Sequence, residues 1–304
     1  MRGTSSKRPA NDDGRAAKGY GFGPEESPMF LHRIDDWDNA YANGVNIPRG
    51  ERWPEAWVAP AAEYRARMLA EGRAALDIPY ARGARNQLDL FLPEGDARGL
   101  VVFVHGGFWM RLDRSYWSHL AAGPVAHGFA VAMPSYTLCP QVRIGAITAE
   151  IGLAVSASAQ RVEGPIRLAG HSAGGHLATR MLCADGPLPA AVAARLRHVV
   201  SISGLHDLRP LINTAMNKTL RLDMDEATRE SPSLLVPAAD ARLTCWAGAA
   251  ERAEFLRQNR LLADMWKGLG AATAVVEEPD RHHYDICDGL TDPDHALTRA
   301  LLTA

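Results

Sequence analysis

A serine flanked by glycines stands at the end of an apolar run, in the stretch LAGHSAGGHLA at residues 168–178. A serine hydroxyl is a weak nucleophile and attacks a carbonyl carbon only when a base removes its proton. Because glycine and serine are common residues, a G-x-S-x-G pattern alone does not identify a site. The run IRLAG before Ser172 predicts a buried strand, and AGGHLATRMLCA after it predicts a helix. A sharp strand-to-helix turn of this kind exposes a nucleophile.

A second glycine-bearing turn follows an earlier apolar run, in the stretch VVFVHGGFW. Gly106 and Gly107 have no side chain, so their backbone N–H groups can approach a developing negative charge. The N–H of Ala173 stands at the start of the predicted helix, where the helix dipole also favours negative charge. These three N–H groups are the predicted oxyanion hole.

A base and an acid for this serine are available after the last two apolar runs. The stretch EEPDRHHYDICDG offers His282 and His283 as the base, and CWAGAAERAEF offers Glu251 and Glu254 as the acid that orients it. Glu251 is the first carboxylate after its run and is the predicted acid, with Asp207 as the first alternative. Glu254 lies one helical turn further on and is expected to behave as a surface residue. Three further histidines near the motifs are predicted to be structural or to act through the reacting groups: His105, His171 and His176.

The elements that must position these residues form a regular alternation. Apolar runs predict seven strands, at 88–93, 100–106, 129–136, 166–172, 198–204, 242–248 and 272–279. Helical spacing of apolar residues predicts helices at 115–127, 144–160, 173–184, 252–269 and 294–303. Runs that are apolar at nearly every position indicate strands covered on both faces. The alternation therefore predicts an α/β fold with a mostly parallel central sheet flanked by helices.

Three segments depart from the alternation. Residues 1–28 mix charges of both signs with Gly, Ser and Pro, so we expect a disordered tail before a single domain at 29–304. The insertion 205–240 follows the strand predicted at 198–204, which we take as the sixth strand of the fold. The insertion exceeds the usual loop length, so we expect a lid or cap. The segment 29–80, an N-terminal arm rich in Trp, Asn and Pro, is either a pocket wall or a packing arm.

Composition and charge exclude several classes of protein. The net charge of −2 lacks the basic footprint of a nucleic-acid binder, and no stretch approaches the ~18 apolar residues of a membrane span. The four cysteines are scattered and form no C-x-x-C pair, which indicates reduced thiols in a cytoplasmic protein. The histidines lack the H-x-H and H-x-x-x-H spacings of metal ligands, so we expect neither a metal nor a cofactor.

Five blocks of the sequence together resemble the kynurenine formamidase-like (arylformamidase) α/β-hydrolases and their bacterial relatives described as esterases or thioesterases. The blocks are HGGFW, GHSAGGHLA, SGLHDLRPL…N…ESP, ERAEFLRQ and HHYDICDGL, and they occur in family order from about residue 36 to the C-terminus. The resemblance implies the α/β-hydrolase fold without a cofactor. It also implies hydrolysis of N-formyl-L-kynurenine or of another small ester or amide.

The resemblance implies roles for the acid and the base. The family's acid stands four residues before the Phe of the EF pair, which selects Glu251, although many members carry Asp at that position. The family's base precedes an aromatic residue, which selects His283 over His282.

The resemblance also implies an oxyanion hole and a binding surface. Family members use the two glycines of H-G-G and the residue after the serine, which correspond to Gly106, Gly107 and Ala173. Phe108 replaces the third glycine of H-G-G-G esterases, which argues against the hormone-sensitive-lipase-like group. Phe108 and Trp109 are expected to line the substrate pocket.

Two other functions are compatible with the same residues. A carboxylesterase or thioesterase of unknown substrate would use the same chemistry on a different acyl group. A catalytically silent α/β-hydrolase scaffold would bind a small molecule without reacting, but such scaffolds usually lack a reacting residue, and all are present here. The expected partner is a small-molecule ester or amide substrate, with no nucleic acid and no membrane. The sequence leaves a homodimer open.

Overall fold

One sheet of eight strands lies at the centre of the computed structural model, which describes residues 1, 3 and 33–303. The strands are β1 (Ala74–Pro79), β2 (Gln87–Phe91), β3 (Leu100–Val104), β4 (Ala130–Pro134), β5 (Ile166–His171), β6 (Leu196–Ile202), β7 (Arg242–Gly248) and β8 (Ala272–Glu278). Their order across the sheet is β1-β2-β4-β3-β5-β6-β7-β8. The β1–β2 and β2–β4 pairs are antiparallel and the other five are parallel, which confirms the predicted fold class.

Helices cover both faces of this sheet. Within the described residues they are α1 (Trp37–Tyr41), α2 (Trp53–Ala56), α3 (Val58–Ala70), α4 (Ala122–Ala126), α5 (Ile144–Ala159), α6 (Ala173–Arg180), α7 (Ala190–Ala193), α8 (Asn217–Leu220), α9 (Met224–Arg229), α10 (Ala253–Lys267) and α11 (Ala296–Leu302). Alternate residues of β3 point to opposite faces, because Val102 packs in the core with α5, α6 and α10 whereas Val101 packs with α3 and α11. Both faces are therefore buried, as its apolar sequence predicts.

Strand β1 and the helix predicted at 115–127 are among the elements that differ from the sequence prediction. Strand β1 was not predicted, because it lies at the sheet edge, is half-exposed in alternation and ends in Pro79. The helix predicted at 115–127 is instead two 3-10 turns, Arg114–Tyr116 and Ser118–Ala121, followed by the short helix α4. Proline is tolerated only in the first turn of a helix. The regular helix that contains Pro124 therefore begins only two residues before it, at Ala122.

The insertion predicted at 205–240 contains α8, α9 and two 3-10 turns. It buries apolar side chains such as Leu208, Leu211 and Leu220 in the core that also holds α5 and α6. Thr148 of α5 donates a hydrogen bond to the Glu230 carboxylate at 2.7 Å, which ties the insertion to the same layer. That the insertion acts as a lid or cap stays a prediction.

Residues 36–303 belong to one compact unit. The tail predicted at 1–28 lies outside the described residues, except for residues 1 and 3. Within the part of the chain that is described, no helix combines the length and the apolar character that crossing a bilayer requires.

Candidate active site

The sharp turn at Ser172 joins β5 to α6. Ser172 adopts φ 56° and ψ −119°, in a region that a residue with a side chain rarely occupies. A Cβ at position 170 would collide with the carbonyl oxygen of Gly174, and a Cβ at position 174 would collide with that of Val104. The turn can close only because both positions are glycine.

Glu251 and His283 meet above the carboxyl ends of β7 and β8. The Nδ1–H of His283 donates to Oε2 of Glu251 at 2.7 Å, and the two side chains are only 3% and 0% exposed. The other carboxylate oxygen, Oε1, accepts from the Ser203 hydroxyl at 2.5 Å and from the Gly248 N–H at 2.8 Å. Since an ionised carboxylate only accepts, the imidazole proton lies on Nδ1, and Nε2 is free to take a proton.

Ser172 and His283 line one narrow cleft, which encloses about 20 Å³. That volume is close to what a single water molecule needs. Within the described chain, neither Ser172 Oγ nor His283 Nε2 has a protein hydrogen-bond partner. In unliganded enzymes the bond between such a pair is often long and tightens only around a substrate. The remaining lining residues are Pro54, Trp57, Gly107, Phe108, Arg111, Leu112, Trp117, His171 and Tyr284.

His171, the residue before the serine, holds the loop that carries His283. Its Nε2–H donates to the His283 carbonyl oxygen at 2.8 Å, and the two rings lie 4.6 Å apart. Burial, with a smaller contribution from His283, holds the pKa of His171 well below its usual range. His171 is therefore neutral near pH 7 and adds no repelling charge beside His283.

The histidine next to His283 has a different environment. His282 Nδ1 accepts from the N–H groups of Tyr284 and Asp285, each at 3.2 Å, and its ring stands edge-on to Trp53 at 5.1 Å. The structure thus brings His283, and not His282, to Glu251.

The two other histidines near the motifs are buried and bonded to backbone. His105 donates from Nδ1 to the Gly106 carbonyl oxygen at 2.7 Å, and burial lowers its pKa to about 4. His176 donates from Nε2 to the Glu230 carbonyl oxygen at 2.6 Å, and burial lowers its pKa to about 3. His105 thus contacts the loop after β3, and His176 contacts the insertion at the end of α9.

The alternative acids are engaged elsewhere. Asp207 binds the Arg209 guanidinium at 2.9 Å. Glu254 was expected to behave as a surface residue, and that expectation is wrong. Its side chain is 2% exposed and accepts from the Tyr41 hydroxyl at 2.6 Å and from Arg257. The amphipathic helix α10 turns this first-turn carboxylate towards helix α1, a contact that the local sequence does not reveal.

The loop after β3 has an unusual backbone. Gly107 has φ 115°, and the next two residues, Phe108 and Trp109, have φ 51° and 58°. A Cβ at position 106 would lie 3.1 Å from Ser172 Cβ, so this glycine allows the loop to pass directly beside the serine. In the described chain, the N–H groups of Gly106, Gly107 and Ala173 donate to no protein acceptor.

Of the two aromatic residues expected to line the pocket, only Phe108 lies at the cleft. Trp109 is fully buried and stands edge-on to His176 at 5.2 Å, away from the lining residues. The aromatic walls come instead from Trp57, Trp117 and Tyr284. The tryptophan-rich segment before β1 indicated that Trp57 could line a pocket. No local sequence pattern indicated that Trp117 lines it.

A larger chamber adjoins the cleft and encloses about 650 Å³. Pro54, Phe108, Arg111 and Tyr284 line both spaces. The outer wall of the chamber is formed mainly by residues 38–51, with Met216 contributed by the insertion. The site therefore consists of a small space at Ser172 and a wider one towards solvent.

Among the described residues, no group of three or more His, Cys, Asp or Glu side chains is arranged to hold a metal ion. The four cysteines, which all lie in the described part, are buried free thiols.

The fold and the site together define the chain as an α/β-hydrolase. The family model BD-FAE matches residues 88–238. The solved structure of a proposed thioesterase from Silicibacter sp. is 48% identical, covers 88% of this chain and 99% of its own, and superposes with a TM-score of 0.84. Kynurenine formamidase from Salmo salar is 29% identical over 78% of this chain and 83% of its own length. The enzyme from Danio rerio is 27% identical over 75% and 80%.

These similarities extend along most of the chain. The chain belongs to the kynurenine formamidase-like α/β-hydrolases. It is a hydrolase of the arylformamidase or esterase type.

Proposed function

We propose that the chain is a serine hydrolase in which Ser172 is the nucleophile, His283 the base and Glu251 the acid that orients the base. The observation that carries this proposal is the buried 2.7 Å contact between Glu251 and His283, the histidine that lines the same cleft as Ser172. Two residues distant in sequence line one cleft, Glu251 contacts the histidine from the buried side, and each of the three has the chemistry that its role requires.

The reaction follows from these positions. His283 Nε2 takes the proton from Ser172 Oγ as Oγ attacks the carbonyl carbon of the substrate. The negative charge that develops on the carbonyl oxygen is received by the N–H groups of Gly106, Gly107 and Ala173. Glu251 stabilises the imidazolium, which then protonates the leaving group. Water, activated by the same base, releases the acyl group from the serine.

The proposed substrate is N-formyl-L-kynurenine or a close analogue, cleaved to formate and an arylamine. The narrowness of the cleft at Ser172 supports this choice, because a one-carbon acyl group needs little space beside the serine. The adjoining chamber of about 650 Å³ would receive the aryl leaving group. The named relatives that are kynurenine formamidases support the same choice.

A second candidate is a small-acyl carboxylesterase or thioesterase. The 48% identical proposed thioesterase favours it, since the same residues cleave any activated acyl bond that fits. Both candidates require a compact acyl group.

Acyl-chain preference tests the proposal. Formate release from N-formyl-L-kynurenine would be compared with hydrolysis of p-nitrophenyl acetate, butyrate and octanoate and of an acetyl thioester. We expect the highest kcat/KM with the formyl substrate and a steep decline from acetate to octanoate. Preference for butyrate or octanoate would contradict the compact-acyl proposal, and preference for the acetyl thioester would favour the second candidate.

The proposal extends to organisation and location. We propose that residues 29–304 act as one domain in which the insertion 205–240 caps the chamber, supported by the contribution of Met216 to the chamber wall. A cytoplasmic location is supported by the four free thiols. Formation of a homodimer stays a prediction.

A further inference from the structure

Arg111 stands where the narrow cleft and the outer chamber meet. It is one of the four residues that line both spaces, and the other three are uncharged: Pro54, Phe108 and Tyr284. Within the described chain, the guanidinium of Arg111 makes no ion pair and donates no hydrogen bond. Five N–H donors on a permanently charged group are therefore available beside the reacting serine.

The backbone of the loop after β3 fixes where the side chain of Arg111 begins. The Arg111 N–H donates to the Gly107 carbonyl oxygen at 3.1 Å. A Cβ at position 107 would lie 3.3 Å from Arg111 Cγ, so the aliphatic stem runs alongside the glycine that lines the cleft. The exposed side chain of Arg111 thus begins at the wall of the cleft.

The acidic residues of the chamber already have partners. Asp38 accepts from the Ala215 N–H at 2.6 Å, and Glu51 lies 3.8 Å from Arg52. Neither pairs with Arg111 in the described chain. The charge of Arg111 is therefore left for a ligand, and a guanidinium fork matches a carboxylate with two parallel hydrogen bonds.

We propose that Arg111 binds a carboxylate on the leaving group and thereby selects the substrate. The assignment rests on the proposed function, in which the scissile carbonyl lies at Ser172 and the leaving group extends into the chamber. Since Arg111 lies at the junction, a leaving group that enters the chamber passes its guanidinium. The substrate class is then formamides, or small-acyl esters, whose leaving group carries a free carboxylate.

Two formyl compounds that differ in this carboxylate test the assignment. N-formyl-L-kynurenine carries it, and N-formylkynuramine has the same aryl formamide without it. Formate release would give kcat/KM for each compound, and the ratio of the two values measures carboxylate recognition. The variants are Arg111→Gln, which removes the charge, and Arg111→Lys, which keeps it. Arg242→Gln is the matched control, because Arg242 is exposed, unpaired in the described chain and at the opposite end of β7.

We expect Arg111→Gln to lower the ratio by roughly 10- to 100-fold, mainly through a higher KM for N-formyl-L-kynurenine. Arg111→Lys should retain part of the ratio, and Arg242→Gln should retain all of it. An unchanged ratio in Arg111→Gln would overturn the assignment, whether or not both activities fall together. If the wild-type protein released formate from neither compound but cleaved p-nitrophenyl acetate, the formamidase proposal itself would be wrong, and the Arg111 assignment with it.

Discussion

Replacing Glu251 with glutamine reverses the hydrogen bond that sets the protonation of His283. The amide oxygen would take the place of Oε1, where Ser203 and Gly248 both donate. The amide nitrogen would then face His283 Nδ1, which now must accept instead of donate. The imidazole proton moves to Nε2, and the atom that should take the proton from Ser172 already carries one.

The expected loss is large because the wrong tautomer prevails in nearly every molecule. Replacing the acid of a Ser-His-Asp triad with its amide lowers kcat on the order of 10⁴-fold, which corresponds to about 5.4 kcal/mol of transition-state stabilisation. We expect Glu251→Gln to show this loss in kcat with little change in KM. Steady-state formate release and a urea unfolding curve would be measured on the same preparation.

Ser203→Ala is the matched comparison, since it removes one of the hydrogen bonds to the same carboxylate and leaves the charge in place. A hydrogen bond to a charged group contributes about 1.5–3 kcal/mol, so we expect a loss of roughly 10- to 100-fold. If Glu251→Gln kept more than about a tenth of wild-type kcat while folded, or lost no more than Ser203→Ala, tautomer control by Glu251 would be refuted.

The remaining predictions test the other assigned groups. Ser172→Ala should remove hydrolysis and fluorophosphonate labelling while the protein stays folded, and more than a few per cent residual activity would exclude this nucleophile. His283→Ala should lower the activity as much as Ser172→Ala, and His282→Ala should lower it much less. The reverse order would show that His283 is not the base. Glu254→Gln should destabilise the protein by about 1–3 kcal/mol in urea unfolding. Exposed Glu163→Gln is its control, and equal stability of the two variants would show that the buried contacts of Glu254 do not matter.

The sequence predicted the elements that follow from local patterns. Strands β2 to β8 are apolar runs, and the turn at Ser172 needs its glycines at 170 and 174 for steric reasons that local sequence reveals. Strand β1 escaped prediction because every second residue is exposed, no residue is fully buried, and the strand ends in Pro79. The alternation of strands and helices was sufficient to identify the fold.

The site was predictable only where chain order determines position. Residues that follow the carboxyl ends of parallel strands share one edge of the sheet, which is why Glu251 and the pair His282 and His283 could be nominated before any contact was known. Chain order left the two histidines open, and only the family resemblance selected His283. Burial of Glu254 and the placement of Trp109 depend on packing between distant segments. No local sequence pattern indicates such contacts. The expectations that Glu254 is a surface residue and that Trp109 lines the pocket were therefore wrong.

The backbone at Ser172 has an evolutionary consequence. Its φ of 56° suits glycine, and holding a serine there costs about 1–3 kcal/mol that the surrounding packing must offset. Substitution by glycine would relieve that cost and abolish the hydroxyl of the proposed nucleophile, so that selection for stability and selection for the proposed reaction would act in opposite directions at this position. In a related protein that no longer needs the proposed reaction, we expect glycine to replace the serine at this position. A related protein that keeps the serine is expected still to need the reaction.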